Sequence, residues 1–355
     1  MRFFSLADGS RLRLAACGLW LLFTGVVWAQ RSPFNGLEVL PADSTGHYRI
    51  LIGGHFHGES TNRSGYPAAT LLANLDTINK LGANLFLSTG DLFMDPENDL
   101  PRYQRSFFGK LNTPFFNALG NHDEFGIDAK DPIEFDLPFD PGRVSDTVFY
   151  DRILVLNTEL NDGSLIDDQL GRLRNLGQAV GVRNLYVISH RPIWAEGDPH
   201  YSDLFKGNTR SVAGPNFKED VYPILEKIAE HAHVYWISGS MGGGAPSSIF
   251  FQGHAPNITY IQCAIRDEPR DALLIADVYP GSVKWSSFSL TGQKLMAPEE
   301  YDAAWWAEHL GKKEGGTNWR LSWYLVKSTV LHKAFWWGIL VALLLVLVIR
   351  RVLRR

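Results

Sequence analysis

Residues Pro114–Glu124 read PFFNALGNHDE. A short apolar run, PFFNA, stops at Leu119-Gly120, and Asn121, His122 and Asp123 follow in immediate succession. A lone histidine or a lone Gly-Asp pair is ordinary turn or surface chemistry, but this run at a strand end is a specific signal. Three more strand-like segments end the same way. Tyr48–Gly53 (YRILIG) leads into Gly54-His55-Phe56-His57-Gly58-Glu59, Asn84–Ser88 (NLFLS) into Thr89-Gly90-Asp91-Leu92, and Leu185–Ser189 (LYVIS) into His190-Arg191-Pro192. Sheets in α/β proteins place their sites beyond strand ends. His55 and His57, two apart on an extended segment, point the same way, as metal ligands would.

The remaining pattern is that of a globular chain. Its 355 residues are 45% hydrophobic and 20% charged, and the net charge of −4 gives no signal for nucleic-acid binding. Helical spacing is expected over Ala68–Leu81, Asp167–Leu176 and Lys218–His231, with a strand at Val234–Ser238 and a hairpin around Asp151-Arg152. From Ser248 onward only strand-like pieces occur (SIFFQ, ITYIQC, ALLIADVY, SVKWSSFSL), so the chain runs α/β first and β-rich later. Of two cysteines only Cys263 lies in the body, which therefore has no internal disulfide.

Both ends speak of membranes. Arg11 and Arg13, the apolar run Leu14–Trp28 and the small-residue pattern ending at Ala29 make residues 1–29 a signal peptide, or an uncleaved signal anchor. Ala334–Ile349 (AFWWGILVALLLVLVI) is unbroken and apolar, extended by Val330 and Leu331 to a span that suits a bilayer. Trp336 and Trp337 flank one end and Arg350, Arg351, Arg354 and Arg355 the other. A cytoplasmic basic tail at 350–355 follows, with the main domain, 30–295, outside the cytoplasm, periplasmic or extracellular. Residues 296–333 read as an aromatic, charged juxtamembrane segment outside the core.

In order and spacing, Gly90-Asp91, Gly120-Asn121-His122-Asp123 and His190-Arg191-Pro192 resemble the calcineurin-like metallophosphoesterase family. That family's pattern is D-x-H, G-D, G-N-H-[DE], a histidine often followed by Arg-Pro, and G-H-x-H. Asn157–Leu173 is also similar to the family's passage before the middle histidine, and the likeness covers roughly residues 46–290. It implies an α/β (α+β) fold, a four-layer α/β/β/α sandwich with a two-metal site at the strand ends. It further implies that Asp91 bridges the metals, that His57 (with His55) serves the first, and that Asn121 and His190 serve the second. His122 would be the catalytic acid, with Asp123 orienting its ring. One or two divalent transition ions (Mn, Fe, Zn or Co) would suit this mixed oxygen and nitrogen set. Such ions activate a bound water and clamp the attacking and leaving oxygens.

Two departures stand out. His55 occupies the place of the first Asp, removing a negative charge. Gly239-Ser240-Met241-Gly242, within YWISGSMGGG, lies where G-H-x-H belongs, and Ser240 and Gly242 replace both histidines. That glycine-rich loop is not a phosphate cradle, because a strand rather than a helix follows it. Glu59 and His254 are the substitute ligands that sequence offers, and Arg63 and Arg191 the candidates for a substrate phosphate. The expected function is a membrane-anchored, exported phosphoesterase acting on a phosphate mono- or diester. The alternatives are a catalytically weakened or inactive binding or scaffolding protein of the cell envelope on the same fold, and a different metal-dependent hydrolase built on His55-x-His57.

Overall fold

Tyr48–Gly53 forms strand β1, and its alternation sets the layers: Ile50 and Ile52 enter one core, Leu51 the other, since neighbouring side chains on a strand point to opposite faces. The computed structural model describes residues 30–123, 133–139, 149–160, 162–205, 215–312 and 316–354; the signal segment expected at 1–29 lies outside the described residues.

Strands β2 (Leu85–Ser88), β3 (Phe115–Asn117), β4 (Ile133–Phe139), β5 (Phe149–Val155), β6 (Val182–Ser189), β7 (His233–Ser238), β8 (Ile249–Ala255), β9 (Ile258–Cys263), β10 (Ala272–Tyr279) and β11 (Ser282–Ser289) complete two mixed sheets. One runs β11-β10-β1-β2-β3 and the other β4-β5-β6-β7-β9-β8. Strands β1, β2 and β3 are mutually parallel, as are β5, β6, β7 and β9. Ile50, Ile52, Leu87 and Leu274 of the first sheet share a core with Ile153, Val187, Ile237 and Ile261 of the second. Leu51, Phe86, Phe115 and Leu273 face helices α1 (Ala69–Ala73), α2 (Leu75–Lys80) and α3 (Pro96–Ser106), which contribute Leu71, Leu75, Ile78 and Tyr103. Helix α4 (Asp167–Leu176), the short α5 (Ser202–Phe205) and α6 (Tyr222–Ala229) bury Leu170, Leu173, Phe205, Leu225 and Ile228 in the first core. Each such side chain removed from water contributes about 2 kcal/mol.

Four elements differ from expectation. The helix over 68–81 is broken at Asn74, whose buried Nδ2 donates to the Thr70 and Leu290 carbonyls at 2.8 and 2.7 Å. No hairpin forms at Asp151-Arg152; these residues are interior to β5. Asp151 is fully buried, accepting from Tyr48 Oη at 2.6 Å and Asn184 Nδ2 at 2.8 Å and pairing with Arg183. A buried carboxylate so partnered is compatible with a strand, and Tyr48–Asp151 ties one sheet to the other. β4, unread in the sequence, pairs with β5 antiparallel.

The fourth difference is that residues 296–333 are not wholly outside the core. Helix α7 (Ala303–His309) buries Trp306 against Phe205 and Phe250, and its indole donates to the Ile249 carbonyl at 3.0 Å. Aromatic richness, read as a membrane belt, serves packing there. Helix α8 (Trp319–Leu331) does stand exposed, anchored by Asn318 Nδ2 to Thr70 Oγ1 at 3.3 Å and by Arg320 Nη1 to Asn74 Oδ1 at 2.9 Å. Helix α9 (Lys333–Leu353) is exposed, apolar and 21 residues long, enough to cross a membrane by length and composition.

Candidate metal centre

The site is built from loops that leave parallel strands in both sheets. His55 and His57 follow β1, Asp91 follows β2, Asn121 and His122 follow β3, and His190 follows β6. Small residues let these loops close on one another. A Cβ on Gly120 would lie 2.2 Å from Asp91 Oδ1, and one on Gly90, at φ +98°, would lie 2.4 Å from His190 Nδ1. His55, Asp91 and Ser240 all hold left-handed backbone, at φ 56°, 57° and 54°, a conformation costly outside glycine that collects at functional sites. Cross-loop hydrogen bonds fix it: His55 N–H to the Gly90 carbonyl at 2.8 Å and Gly239 N–H to the His190 carbonyl at 2.9 Å.

Three imidazoles converge on one carboxylate oxygen. The Nε2 atoms of His55, His190 and His57 lie 3.0, 3.4 and 3.8 Å from Asp91 Oδ2, while Asp91 Oδ1 accepts from His122 N–H at 3.2 Å. All four side chains are buried. His190 Nδ1 lies 2.8 Å from the Thr89 carbonyl, which only accepts, so Nδ1 carries the proton and Nε2 turns a lone pair toward Asp91. That lone pair and both ring nitrogens of His57 are buried without a hydrogen-bond partner. Lone pairs facing a carboxylate are repulsive unless a cation lies between them, and buried polar atoms rarely stay unpaired. His55, His57 and Asp91 bring one ligand atom each within 4.8 Å of one another, so the donor set fits a divalent transition ion.

Burial pushes the His55 ring down to about 3, against the pull of Asp91, so it is neutral near pH 7. Burial opposes charge on Asp91, yet the His55 ring, 3.0 Å away, helps to hold its carboxyl well below the usual range. Burial also lowers His122, half-buried at the rim and bonded to the Met94 carbonyl, with its ring 5.2 Å from that of His57. Asn121, also half-buried, lies between Gly120 and His122 on the same turn.

Asp123 is not the partner of the His122 ring. Its carboxylate accepts from Leu92 N–H at 2.9 Å, Phe93 N–H at 3.2 Å, Gly120 N–H at 3.0 Å and Asn117 Nδ2 at 3.1 Å. It fastens the β2 and β3 loops together, and burial pushes its carboxyl up to about 6.

The remaining expected residues engage other partners. Arg191 forms a two-pronged pair with Glu159, Nε to Oε1 at 2.7 Å. Arg63 donates to the Ser60 and Asn62 carbonyls of its own exposed loop. His254 Nδ1 meets Tyr201 Oη at 2.8 Å and its ring packs on Tyr260, 4.5 Å away, so it serves an aromatic cluster. Glu59 is exposed and lines a cleft of about 450 Å³ outside the Gly243-Gly244 turn; the cleft includes none of the clustered histidines. At Ser240-Met241-Gly242 the Met241 side chain is buried in the core and its carbonyl faces inward, accepting from Arg266 Nη1 at 3.1 Å. No motif marks Arg266 in the sequence, although it follows β9 in Cys263-Ala-Ile-Arg-Asp267 just as the other clustered residues follow their strands.

No family model matches the sequence, and no curated protein matches it. Solved structures do. GAP50, described as the anchor in the inner membrane complex of Plasmodium, overlays with a TM-score of 0.50 at 12% identity, covering 74% of this chain and 95% of that one. A dimetal phosphatase from Danio rerio gives 0.46 at 12% identity over 71% and 98% of the two chains. The calcineurin-like phosphoesterase YfkN from Bacillus subtilis gives 0.33 at 12% over 72% and 94%. At such identity the likeness concerns fold alone, and the GAP50 overlay carries it. This chain thus shares the fold of GAP50, and the ordered strand-end motifs and the buried His55/His57/Asp91 group sit at the strand ends of that fold.

Proposed function

We propose that this chain is a metal-dependent phosphoesterase that hydrolyses a phosphate mono- or diester on the outer side of a membrane. The observation that carries the reading is the convergence of unpartnered nitrogens of His57 and His190 on Asp91 Oδ2. His57, Asp91 and His190, with Asn121 and His55 beside them, would hold one or two ions of Mn, Fe, Zn or Co. A bound ion would supply an activated water and stabilise charge on the phosphoryl oxygens. His122, at the solvent-facing rim, would give a proton to the leaving oxygen. Thr89 fixes the His190 tautomer through its carbonyl, a support of the kind that orients ligating histidines. Asp123 positions Asp91 and His122 by fixing the turns that carry them.

Anchoring follows from α9, with Trp336 and Trp337 at one end and arginines at the other. The terminal arginines support a cytoplasmic C-terminus with the body outside.

A second reading, a binding or anchoring protein on the same fold, is favoured by the loop Ser240-Met241-Gly242, which brings no ligating side chain. The GAP50 likeness is compatible with it. Full-length chain purified in detergent, assayed for bound metal and for hydrolysis of a generic phosphodiester beside Asp91→Asn, separates the two. Bound metal with activity lost in the variant supports the enzyme; metal-free protein, or hydrolysis indifferent to the variant, leaves the binding reading.

A further inference from the structure

Helix α8 presents two faces of opposite character. Leu321 and Tyr324 are half-buried on the side of the body. Arg320 beside them is fastened by Nη1 to Asn74 Oδ1 at 2.9 Å and to the Ser289 carbonyl at 2.7 Å, with its guanidinium 5.4 Å from the Phe288 ring centre. Trp319, Trp323, Val326 and Val330 recur three or four residues apart, which sets them on one stripe. At 3.6 residues per turn that stripe lies opposite Leu321 and Tyr324 and points away from the body. Its members are 75, 70, 54 and 39% exposed, so packing within the chain does not account for two indoles and two valines there.

The corner into α9 has hydrogen bonds of its own. Only His332 separates the two helices, and its extended backbone, at ψ 129°, changes the direction of the axis. The Trp336 indole reaches back and donates to the Val330 carbonyl at 2.9 Å, meeting one of the carbonyls that a helix end leaves open. His332 Nδ1 accepts from the Ala334 N–H at 3.3 Å and caps the start of α9.

Resting on the reading of α9 as a membrane span, we propose that α8 is a second, in-plane membrane contact. The stripe of Trp319, Trp323, Val326 and Val330 seats in the headgroup–acyl boundary of the bilayer that α9 crosses, and holds the α1 side of the body against lipid. Continuity names the occupant. The span starts at Lys333, and Trp336 and Trp337 mark its interface, so the last turn of α8 ends one residue outside it. Indoles join an apolar body to a polar N–H and collect at that depth. Ser322 and Lys327 border the stripe on its two sides, and a lysine stem can lie along the apolar surface with its ammonium among the headgroups. An apolar stripe with polar borders distinguishes an interfacial helix from a spanning one.

The test reads depth at single positions. Full-length chain carrying Cys17→Ser, in which Cys263 is buried, receives one new cysteine for a nitroxide and is reconstituted into phosphatidylcholine vesicles. Val326→Cys reports the stripe, Leu344→Cys the middle of α9, and the exposed Glu230→Cys reports water. Collisions with oxygen and with a water-soluble nickel chelate are then compared. The label at 326 should meet the chelate at least about fivefold less often than the label at 230, and oxygen more often. Equal chelate access at 326 and 230, with 344 shielded, would overturn the proposal and leave α9 as the span. Chelate access at 344 as well would overturn both. Shielding of 326 from oxygen and chelate alike, with dipolar broadening between labels, would give the stripe to a second copy of the chain and likewise overturn the proposal. Trp319→Ser combined with Trp323→Ser, in the Val326→Cys chain, should raise chelate access toward that at 230. No rise in the folded double variant, judged by its circular dichroism, would show that the indoles do not seat the helix and would sink the assignment.

Discussion

The carboxylate of Asp123 accepts a hydrogen bond from the backbone N–H of Leu92 at 2.9 Å, one residue beyond Asp91. The turn that presents the central carboxylate is thereby latched to the turn that presents Asn121 and His122. Asp123→Ala would leave buried N–H groups at Leu92, Phe93 and Gly120 unpaired, at a cost of roughly 3 kcal/mol. Thermal unfolding should register that loss, and Mn²⁺ affinity should fall with it. Asp123→Asn, which keeps part of the acceptor set, should fall between wild type and Asp123→Ala.

Gly120→Ala tests the same convergence by volume. A methyl group 2.2 Å from Asp91 Oδ1 must displace the carboxylate or the turn, costing about 2 kcal/mol. Metal binding should drop at least tenfold. Normal metal content in this variant would mean that the β3 loop is freer than the structure describes.

Arg191 and Glu159 should behave as a structural pair. Alanine at either position should destabilise by about 1–2 kcal/mol, and the double variant by hardly more than either single change. Urea unfolding of the four proteins closes this cycle. A rise in KM confined to Arg191→Ala, with additive stability losses, would instead return the arginine to the substrate.

Asp271 makes stability depend on pH. It is fully buried, its Oδ2 has no hydrogen-bond partner, and burial pushes its carboxyl up to about 7. Between the ordinary carboxylate range and about pH 7 the folded chain keeps a proton that the unfolded chain releases. Stability contributed by this group is therefore present at low pH and lost as pH rises through that window. Asp271→Asn should flatten the dependence, raising Tm at pH 8 relative to wild type while leaving pH 4 nearly unchanged. Parallel melting curves for the two proteins at both pH values would contradict it.

Removal of residues 333–355 should move the protein from the membrane to the soluble fraction with its melting temperature unaltered, because α9 buries none of its residues against the body. Carbonate-washed membranes and a melting curve are enough to check this.

The strands were legible because local pattern is enough for them. Tyr48–Gly53 and Asp167–Leu176 have the bounds their periodicity suggests, and the chemistry of GNHD marks a strand end before any contact is known. What escaped depends on partners distant in sequence. Asp151 looked like a turn because Tyr48 and Arg183 are not its neighbours along the chain. Adjacency in sequence points Asp123 at His122, whereas its donors come from the β2 loop, the start of its own turn and Asn117. Arg266 lies 211 residues from His55 and has no motif around it. Trp306 shows the same limit, since an indole suits a membrane interface and a core equally well and only Phe205 and Phe250 decide between them.

The hydrogen bond from Arg320 to Asn74 joins α8 to the break between α1 and α2, and only His332 separates α8 from α9. Helix α8 is itself a rod of 13 residues, roughly 20 Å long, rather than a slack leash. If α9 sits in a bilayer, the body cannot roam in search of cargo. Its height above the lipid plane would then be set by α8.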